Sequence, residues 1–180
     1  MADELIDIYD ENNKPLNVQK MKSEAHKNGL WHRSVHVWIY NNNSEILLQL
    51  RDKDKDIFPN VWDVSVGGHI GASEQNEITA VREVFEELGL RIAESDLELY
   101  SVDKISGNCN GLQNNEFIFV YTLQFNGDIN GLKIQKEEVQ EIKFLSTNFI
   151  RKDLSDHPEK YTPGKEYWNE MIEYIEYKTK

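Results

Sequence analysis

The stretch of residues 68–90 constrains the fold and the chemistry of this chain more than any other part of it. It reads GHIGASEQNEITAVREVFEELGL, and its second half has the pattern of a helix that ends at Gly89. Glu83, Glu86 and Glu87 stand at i, i+3 and i+4, so their carboxylates share one face of that helix. The opposite face carries the apolar residues that we expect to pack against a core, namely Ile78, Val81, Val84, Phe85 and Leu88.

Three acids at this spacing repel one another unless a positive charge lies among them. Like charges three or four residues apart destabilise a helix, and crowded carboxylates resist full ionisation. A hard divalent cation resolves the conflict, because Mg²⁺ takes carboxylate oxygens and keeps waters or substrate phosphates in its shell. A solvated charged face is the alternative, and the spacing of the acids alone does not decide between the two.

The wider pattern around these acids gives a family resemblance. It runs Gly, five residues, Glu, seven residues, Arg-Glu-apolar, one residue, Glu-Glu, one residue, Gly-apolar. The residues that match it are Gly68, Glu74, Arg82, Glu83, Val84, Glu86, Glu87, Gly89 and Leu90. The chain therefore resembles the Nudix hydrolases. The resemblance implies an α/β fold, an α/β/α sandwich with a mixed sheet, in which the loop and helix of residues 67–90 hold Mg²⁺ or Mn²⁺ at a diphosphate.

The motif assigns a chemical role to most of its polar residues. The predicted metal ligands are Glu83, Glu86, Glu87 and the carbonyl oxygen of Gly68. Glycine at position 68 permits the close approach that such a ligand needs. We expect Glu74 and Arg82 to brace the motif through a charge-assisted hydrogen bond.

The sequence leaves the identity of the general base open. A divalent metal polarises the phosphoryl oxygen and lowers the pKa of bound water, but a side chain still has to accept the proton. The candidates are Glu86, Glu87 and an acid of the late cluster Glu137, Glu138 and Glu141, from which we choose Glu138. A solvated strand edge is the alternative interpretation of that late cluster.

A group of histidines forms a second set of candidate site residues, and it resembles one branch of the same superfamily. The segments HKNGLWHRSVHVWIY, FPNVWDVSVGGHIG and NNEF are similar to the isopentenyl-diphosphate isomerase branch of the Nudix superfamily. In that branch two early histidines, a histidine in the motif loop and two acids bind a divalent metal. The match implies a possible second metal site at His26, His32, His69 and Glu116, with Asn114 in place of the second acid. Imidazole ligands suit Mn²⁺ or Zn²⁺ better than Mg²⁺.

The chain departs from that branch at Gly67. The isomerases carry their catalytic cysteine at this position, and without a thiol the transfer of a proton to a carbon–carbon double bond lacks one acid/base partner. We therefore expect a hydrolase that cleaves a nucleoside diphosphate derivative or another organic diphosphate. An isomerase-like enzyme acting on prenyl diphosphates is the alternative, and a non-catalytic nucleotide-binding regulatory module is the second alternative.

The charge and the cysteine content limit the possible partners. The chain has 32 acidic and 20 basic residues and a formal charge of -12, which argues against binding a nucleic-acid polymer. A small anionic diphosphate remains compatible, because a bound metal can supply the largest local charge. The single cysteine, Cys109, excludes an internal disulfide, and we expect a cytoplasmic protein without membrane contact. The oligomeric state is left open.

The hydrophobic pattern predicts one domain over residues 1–180, with residues 1–30 as an N-terminal β extension. Alternation predicts a hairpin around residues 41–44 and a strong strand over residues 116–125. The segment 106–115 is rich in Gly and Asn and is predicted to be a loop. A helical stripe near the end is predicted to pack in the core, and consists of Tyr167, Trp168, Met171, Ile172 and Ile175.

Overall fold

The structure, a computed structural model, describes residues 3–55, 57–109 and 112–180, and within these ranges the chain forms nine strands and four α-helices. The strands are β1 (Leu5–Tyr9), β2 (Pro15–Met21), β3 (His32–Tyr40), β4 (Glu45–Arg51), β5 (Trp62–Asp63), β6 (Val66–His69), β7 (Leu97–Cys109), β8 (Leu112–Gln124) and β9 (Val139–Ser146). The helices are α1 (Lys22–Asn28), α2 (Asn76–Leu88), α3 (Thr147–Asp156) and α4 (Lys165–Lys178).

The main sheet is mixed, as predicted. Its order is β5–β4–β3–β8–β7, with β6 paired to β3 and β9 paired to β4. Strands β3 and β8 run parallel, whereas the other pairs of this sheet are antiparallel. The register of the parallel pair sets His32 opposite Glu116, although the two residues are far apart in the sequence.

Alternation along β3 divides the core between two helical layers. Val35, Val37 and Ile39 face helix α2, while Trp38 and Tyr40 face helices α3 and α4. The predicted C-terminal stripe lies in the second of these layers, with Trp168 and its helical neighbours fully buried. The expected α/β/α sandwich is therefore confirmed. No helix in the described part of the chain is long and apolar enough to cross a lipid bilayer.

The predicted N-terminal β extension is a hairpin followed by a short helix. Strands β1 and β2 pair outside the main sheet, and Ile6, Ile8 and Ala25 form a small core between the hairpin and helix α1. Helix α1 ends at Gly29, whose φ of 61° is the left-handed conformation that glycine tolerates best. This arrangement brings His26 of α1 next to the first residues of β3.

The prediction of a loop over residues 106–115 was wrong for those of its residues that the structure describes. Strands β7 and β8 continue their ladder as far as the pair Cys109 and Leu112, and only Asn110 and Gly111 lie outside the described residues. Backbone pairing needs no apolar side chains, so polar strands can continue beyond the core. Asn115 ties this extension to helix α1, because its Nδ2 donates to Gly29 O at 2.8 Å.

Candidate active site and metal centre

Helix α2 turns two of its acids inward. Glu83 and Glu87 are buried, with 8% and 4% of their surface exposed. The prediction that Ile78 and Phe85 lie on the buried face was wrong, because they are 44% and 42% exposed. The residue above this part of the helix is Gly68, which has no side chain, so the helix can turn carboxylates rather than apolar groups toward the sheet.

Gly68 and Glu83 are in close contact across this space. A Cβ atom at Gly68 would lie 2.1 Å from Cδ and 2.2 Å from Oε1 of Glu83. Real Cβ atoms essentially never come that close to another heavy atom. The carboxylate of Glu83 therefore occupies the volume that any larger residue at position 68 would need.

Arg82 connects the acids of the motif. Its Nε and one terminal nitrogen donate to the two carboxylate oxygens of Glu74, each at 3.0 Å. The other terminal nitrogen donates to Glu83 at 2.8 Å and to Glu86 at 2.9 Å. The side chain of Glu86 is 48% exposed, so this ion pair lies at the rim of the site. The structure thus brings the predicted bracing pair together and holds both Glu83 and Glu86 in position.

The buried pair Glu83 and Glu87 carries strongly shifted pKa values. Burial raises the pKa of Glu83 to about 7, and Glu86 adds repulsion that Arg82 partly offsets. Burial and the charge of Glu83 raise the pKa of Glu87 to about 8. Gln49 Nε2 donates to Glu87 at 3.0 Å and fixes the orientation of its carboxylate. Two such acids are fully ionised at neutral pH only when a cation joins them.

Lys55 and Glu138 form an ion pair beside Glu87. The ammonium of Lys55 contacts the carboxylate of Glu138, which is buried at 8% exposure. Burial lowers the pKa of Lys55, and the negative charge of Glu87 partly offsets this effect. The other two acids of the late cluster point away, since Glu137 is exposed and Glu141 pairs with Lys143. Of the three late acids, the structure therefore brings only Glu138 to the site.

The four residues of the predicted histidine site meet at one point. The ligand atoms of His26, His32, His69 and Glu116 all lie within 4.8 Å of one another. Nε2 of His32 is 3.2 Å from Nε2 of His26 and 3.2 Å from Oε1 of Glu116, and Nε2 of His69 is also 3.2 Å from that oxygen. Ligands at about 2.1 Å from a shared ion stand about 3.0–3.4 Å apart in octahedral or tetrahedral geometry. The spacing therefore fits a divalent metal.

Hydrogen bonding at this cluster also fits a metal. Nδ1 of His32 is 2.9 Å from Leu30 O, a carbonyl that can only accept, so Nδ1 carries the proton and Nε2 presents a lone pair. Metal-binding histidines are oriented by this kind of bond. Nε2 of His69 and Oδ1 of Asn114 are buried, and among the described residues neither makes a hydrogen bond of good geometry.

The pKa shifts of His26, His69 and Glu116 agree with two neutral imidazoles beside an ionised carboxylate. Burial, together with the other two rings, lowers the pKa of His26 to about 4. Burial also lowers the pKa of His69. Burial alone would raise the pKa of Glu116, but its contacts with His32 and His69 outweigh this effect and hold the pKa well below the usual range. Neutral imidazoles and an ionised carboxylate are the ligand forms that a divalent metal requires.

The two clusters are neighbours. Gly68 and His69 are consecutive on β6, so they face opposite sides of that strand, toward Glu83 and toward the histidines respectively. Arg82 also reaches the carbonyl of His69 at 3.4 Å. Burial is the main cause of the lowered pKa of both His69 and Lys55, and the charge of Lys22 makes a smaller contribution to each. The charge of Lys22 therefore acts on groups in both clusters.

Comparison with known proteins decides the family. The family model described as the NUDIX domain matches residues 8–165 of this chain. The chain belongs to the Nudix family.

Individual Nudix relatives show how far the similarity extends. Nudix hydrolase 3 of Arabidopsis thaliana is 34% identical over 168 residues, which are 91% of this chain but 22% of that protein. The chain therefore spans about a fifth of the length of that relative. An isopentenyl-diphosphate Delta-isomerase of Pectobacterium atrosepticum is 30% identical over 155 residues, or 86% of this chain and 83% of the isomerase.

A solved structure shows the same fold. The crystal structure of DR0079 from Deinococcus radiodurans has a TM-score of 0.72 to this Nudix chain at 21% identity, and the match covers 93% of this chain and 98% of that one. At this identity the likeness concerns the fold alone.

The sequence alone does not predict three polar residues of this Nudix site. Gln49 lies in a mostly apolar strand, and Lys22 and Lys55 lie in polar segments with no motif of their own. The signal for Gln49 was a polar residue at an inward-facing position of β4. Nothing in the local sequence distinguishes Lys55 from the other charged residues of its loop.

Proposed function

We propose that this Nudix protein is a divalent-metal-dependent hydrolase that cleaves the diphosphate linkage of a nucleoside diphosphate derivative or another organic diphosphate. One observation carries the proposal, the burial of Glu83 and Glu87 side by side beneath Gly68. Family membership supports it, as does the brace that Arg82 forms with Glu74. A purely structural role would favour apolar residues at two fully enclosed helix positions.

The donor set fits Mg²⁺ or Mn²⁺. Glu83, Glu86, Glu87 and the carbonyl oxygen of Gly68 would hold the ion, since hard cations prefer oxygen ligands. When bound, the ion neutralises diphosphate charge, polarises the phosphoryl oxygen and lowers the pKa of water. Without a metal, the pKa values of Glu83 and Glu87 stand at about 7 and about 8. A bound cation would favour the ionised form of both acids.

The positively charged side chains of Lys22 and Lys55 bind the phosphate oxygens of the substrate. The side chains of Lys22 and Lys55 are 20% and 14% exposed, so both are largely withdrawn from solvent. A charge in such surroundings interacts with an anion more strongly than a surface charge does. Lys55 keeps one donor for Glu138 and has others for the substrate.

The attacking water needs a proton acceptor, and three acids remain candidates. Glu87 has a pKa of about 8, a value suited to accepting a proton near neutral pH. Glu86 is the most accessible of the helix acids, whereas Glu138 lies across the site and is held by Lys55. Glu138 is our choice because it is buried and belongs to no predicted metal-ligand set.

The histidine cluster would hold a second ion. His26, His32, His69 and Glu116 offer three nitrogens and one oxygen, a set that suits Mn²⁺ or Zn²⁺. These residues come from α1, β3, β6 and β8, so the ion would join the N-terminal extension to the main sheet.

A prenyl-diphosphate isomerase is the second candidate. The histidine cluster and the similarity to the Pectobacterium isomerase favour it. Gly67 opposes it, since the resemblance places the catalytic thiol at this position. Exchange of solvent deuterium into isopentenyl diphosphate without phosphate release would establish isomerisation and would overturn the hydrolase proposal.

The direct test is a substrate panel incubated with Mg²⁺, with Mn²⁺ and with a chelator. It covers nucleoside diphosphate sugars, dinucleotides, oxidised nucleotides, coenzyme A and prenyl diphosphates. We expect metal-dependent release of two phosphate-bearing products, or of inorganic phosphate, from at least one compound. Binding of a nucleotide without breakdown under all metal conditions would instead indicate the regulatory module.

A further inference from the structure

A hydrogen-bonded chain of three side chains lies on the α4 side of the sheet, beside the candidate metal centre. Trp38 Nε1 donates to Tyr167 Oη at 2.8 Å, and Tyr167 Oη is 2.9 Å from Nδ1 of His36. Trp38 and His36 come from β3, and Tyr167 comes from α4. The mechanism proposed above uses none of these residues.

The direction of these bonds fixes the proton on His36. The indole nitrogen of Trp38 can only donate, so Tyr167 Oη accepts from it. Burial raises the pKa of Tyr167 well above its usual range, so the phenol keeps its proton. Among the described residues, the acceptor within reach of that proton is Nδ1 of His36. Burial lowers the pKa of His36, which leaves a neutral ring with its proton on Nε2.

The edge of the His36 ring that carries Cδ2 and Nε2 borders the space above Gly67. A Cβ atom at Gly67 would lie 3.4 Å from Cδ2 and 3.8 Å from Nε2 of His36. No hydrogen bond reaches Nε2 from the residues that the structure describes. His36 is half-buried, and the space above Gly67 lies beside its ring.

This N–H donor lies on the side of the sheet that carries the histidine cluster. Gly67 and His69 are two residues apart on β6 and therefore face the same side, toward His36 and the histidine cluster. Gly67 is the neighbour of Gly68 on β6, and the carboxylate of Glu83 lies against Gly68. A substrate that binds the helix acids with its diphosphate and extends past the two glycines therefore brings its organic group to Gly67 and His36.

We propose that His36 is a specificity-determining residue whose Nε2–H donates a hydrogen bond to an oxygen of the organic group attached to the diphosphate. The proposal rests on the function proposed above and narrows its substrate class to diphosphates whose organic group carries a hydroxyl or carbonyl oxygen near the space above Gly67. A hydrocarbon chain in this place would leave the N–H without a partner. Sites built around a hydrogen bond reject analogues that lack it.

The first test concerns the proton itself and needs no substrate. Long-range ¹H–¹⁵N NMR of the imidazole rings distinguishes the two neutral tautomers, and the spectrum of His36→Gln assigns the His36 signals. We expect the Nε2–H tautomer in the wild-type protein and a mixture of tautomers in Tyr167→Phe. A wild-type ring protonated on Nδ1 would overturn the proposal, because Nε2 would then be an acceptor.

The second test compares two diphosphates with the same carbon skeleton. Isopentenyl diphosphate has a double bond where 3-hydroxy-3-methylbutyl diphosphate has a hydroxyl. We expect wild-type kcat/KM to favour the hydroxylated compound by about tenfold or more. His36→Leu should lose this preference, whereas His36→Gln keeps an amide donor and should retain part of it. His157→Gln alters an exposed histidine and is the control.

Failure of this proposal is distinguishable from failure of the proposed function. If neither compound is hydrolysed, the methylenediphosphonate analogues of both are compared by calorimetric binding. A preference for the hydroxylated analogue that vanishes in His36→Leu supports the role of His36 even without hydrolysis. Equal binding or equal turnover of the two compounds by the wild-type protein would overturn it.

Discussion

The carboxylate of Glu83 fills the space that a side chain at Gly68 would occupy, since a Cβ atom there would lie 2.1 Å from Glu83 Cδ. The preceding glycine is different. A Cβ atom at Gly67 would meet its nearest atom at 3.4 Å, an ordinary contact. Two consecutive glycines thus have separate roles, and Gly68 is the one that admits a buried carboxylate to the site.

Replacing Gly68 by alanine should displace Glu83 and with it the proposed metal site. We expect Gly68→Ala to lower the free energy of unfolding by about 1–3 kcal/mol, the usual range for overpacking. Mn²⁺ affinity measured by calorimetry should fall as well. Gly107→Ala is the matched control, because a Cβ atom there meets nothing within 4 Å. Wild-type Mn²⁺ affinity in Gly68→Ala would contradict the assignment of Glu83.

The metal-free protein should lose stability as the pH rises. Glu83 and Glu87 have folded pKa values of about 7 and about 8 against a usual 4.5, so the folded state keeps protons that the unfolded state has released. Their contribution is therefore complete below pH 4.5 and is lost as the pH rises through these folded values. One such group gives a slope of at most about 1.4 kcal/mol per pH unit.

Urea unfolding between pH 5 and pH 9 in a chelator measures this effect. We expect Glu87→Gln to flatten the slope, because its amide does not titrate. Saturating Mg²⁺ should restore stability at the alkaline end. A slope that is the same in the wild type and in Glu87→Gln would show that Glu87 ionises normally in the folded state.

Arg82 should not tolerate replacement by lysine. Its guanidinium binds both oxygens of Glu74 and also contacts Glu83 and Glu86, which a single ammonium cannot reproduce. We expect Arg82→Lys to reduce kcat/KM by about tenfold or more through misplacement of the helix acids. Arg151→Lys removes a guanidinium from a partly exposed ion pair with Glu176 and should leave activity unchanged.

The histidine cluster should bind an ion of its own. We expect the wild-type protein to take up two Mn²⁺ ions and His69→Gln to take up one, as counted by electron paramagnetic resonance of the free ion. Co²⁺ should give a visible spectrum that reports nitrogen ligands in the wild type and is altered in His69→Gln. His157→Gln should bind as the wild type does. Equal uptake by all three proteins would exclude a metal at His69.

If Glu138 is the general base, replacing it should affect activity differently from replacing the neighbouring Glu137. Glu138 is buried and contacts Lys55, whereas Glu137 next to it is exposed. We expect Glu138→Gln to lower kcat by about a hundredfold with little change in KM, in the range usual for loss of a general base. Glu137→Gln should have no effect. If both variants are fully active, the base is Glu86 or Glu87.

Much of the sheet could be predicted because its strands carry a period of two, which is a local property. The hairpin of β3 and β4 and the strand β8 are examples. Helix α3 was not predicted. It begins after Ser146, whose hydroxyl accepts from Phe149 N at 3.2 Å, but its apolar residues are too few for a clear stripe.

The spacing of the motif acids identified them in the sequence, but it did not show which face of their helix turns toward the sheet. Ile78 and Phe85 point outward because Gly68, which lies far from them in the sequence, leaves room for Glu83. The meeting of His32 with Glu116 depends on the register of two parallel strands. Local pattern carries no information about that register, and it was the family resemblance that grouped these two residues. Lys55 was missed because its role depends on Glu138 and Glu87, which lie distant in the chain.

Glu87→Gln is the most direct test, measured as kcat/KM on the best substrate of the panel at saturating Mg²⁺. Glu77→Gln is the control, because Glu77 lies in the first turn of the same helix, outside the acidic cluster. We predict a loss of about a hundredfold or more for Glu87→Gln and wild-type activity for Glu77→Gln. Wild-type turnover by Glu87→Gln would contradict the account, since the buried acid would then have no part in the reaction.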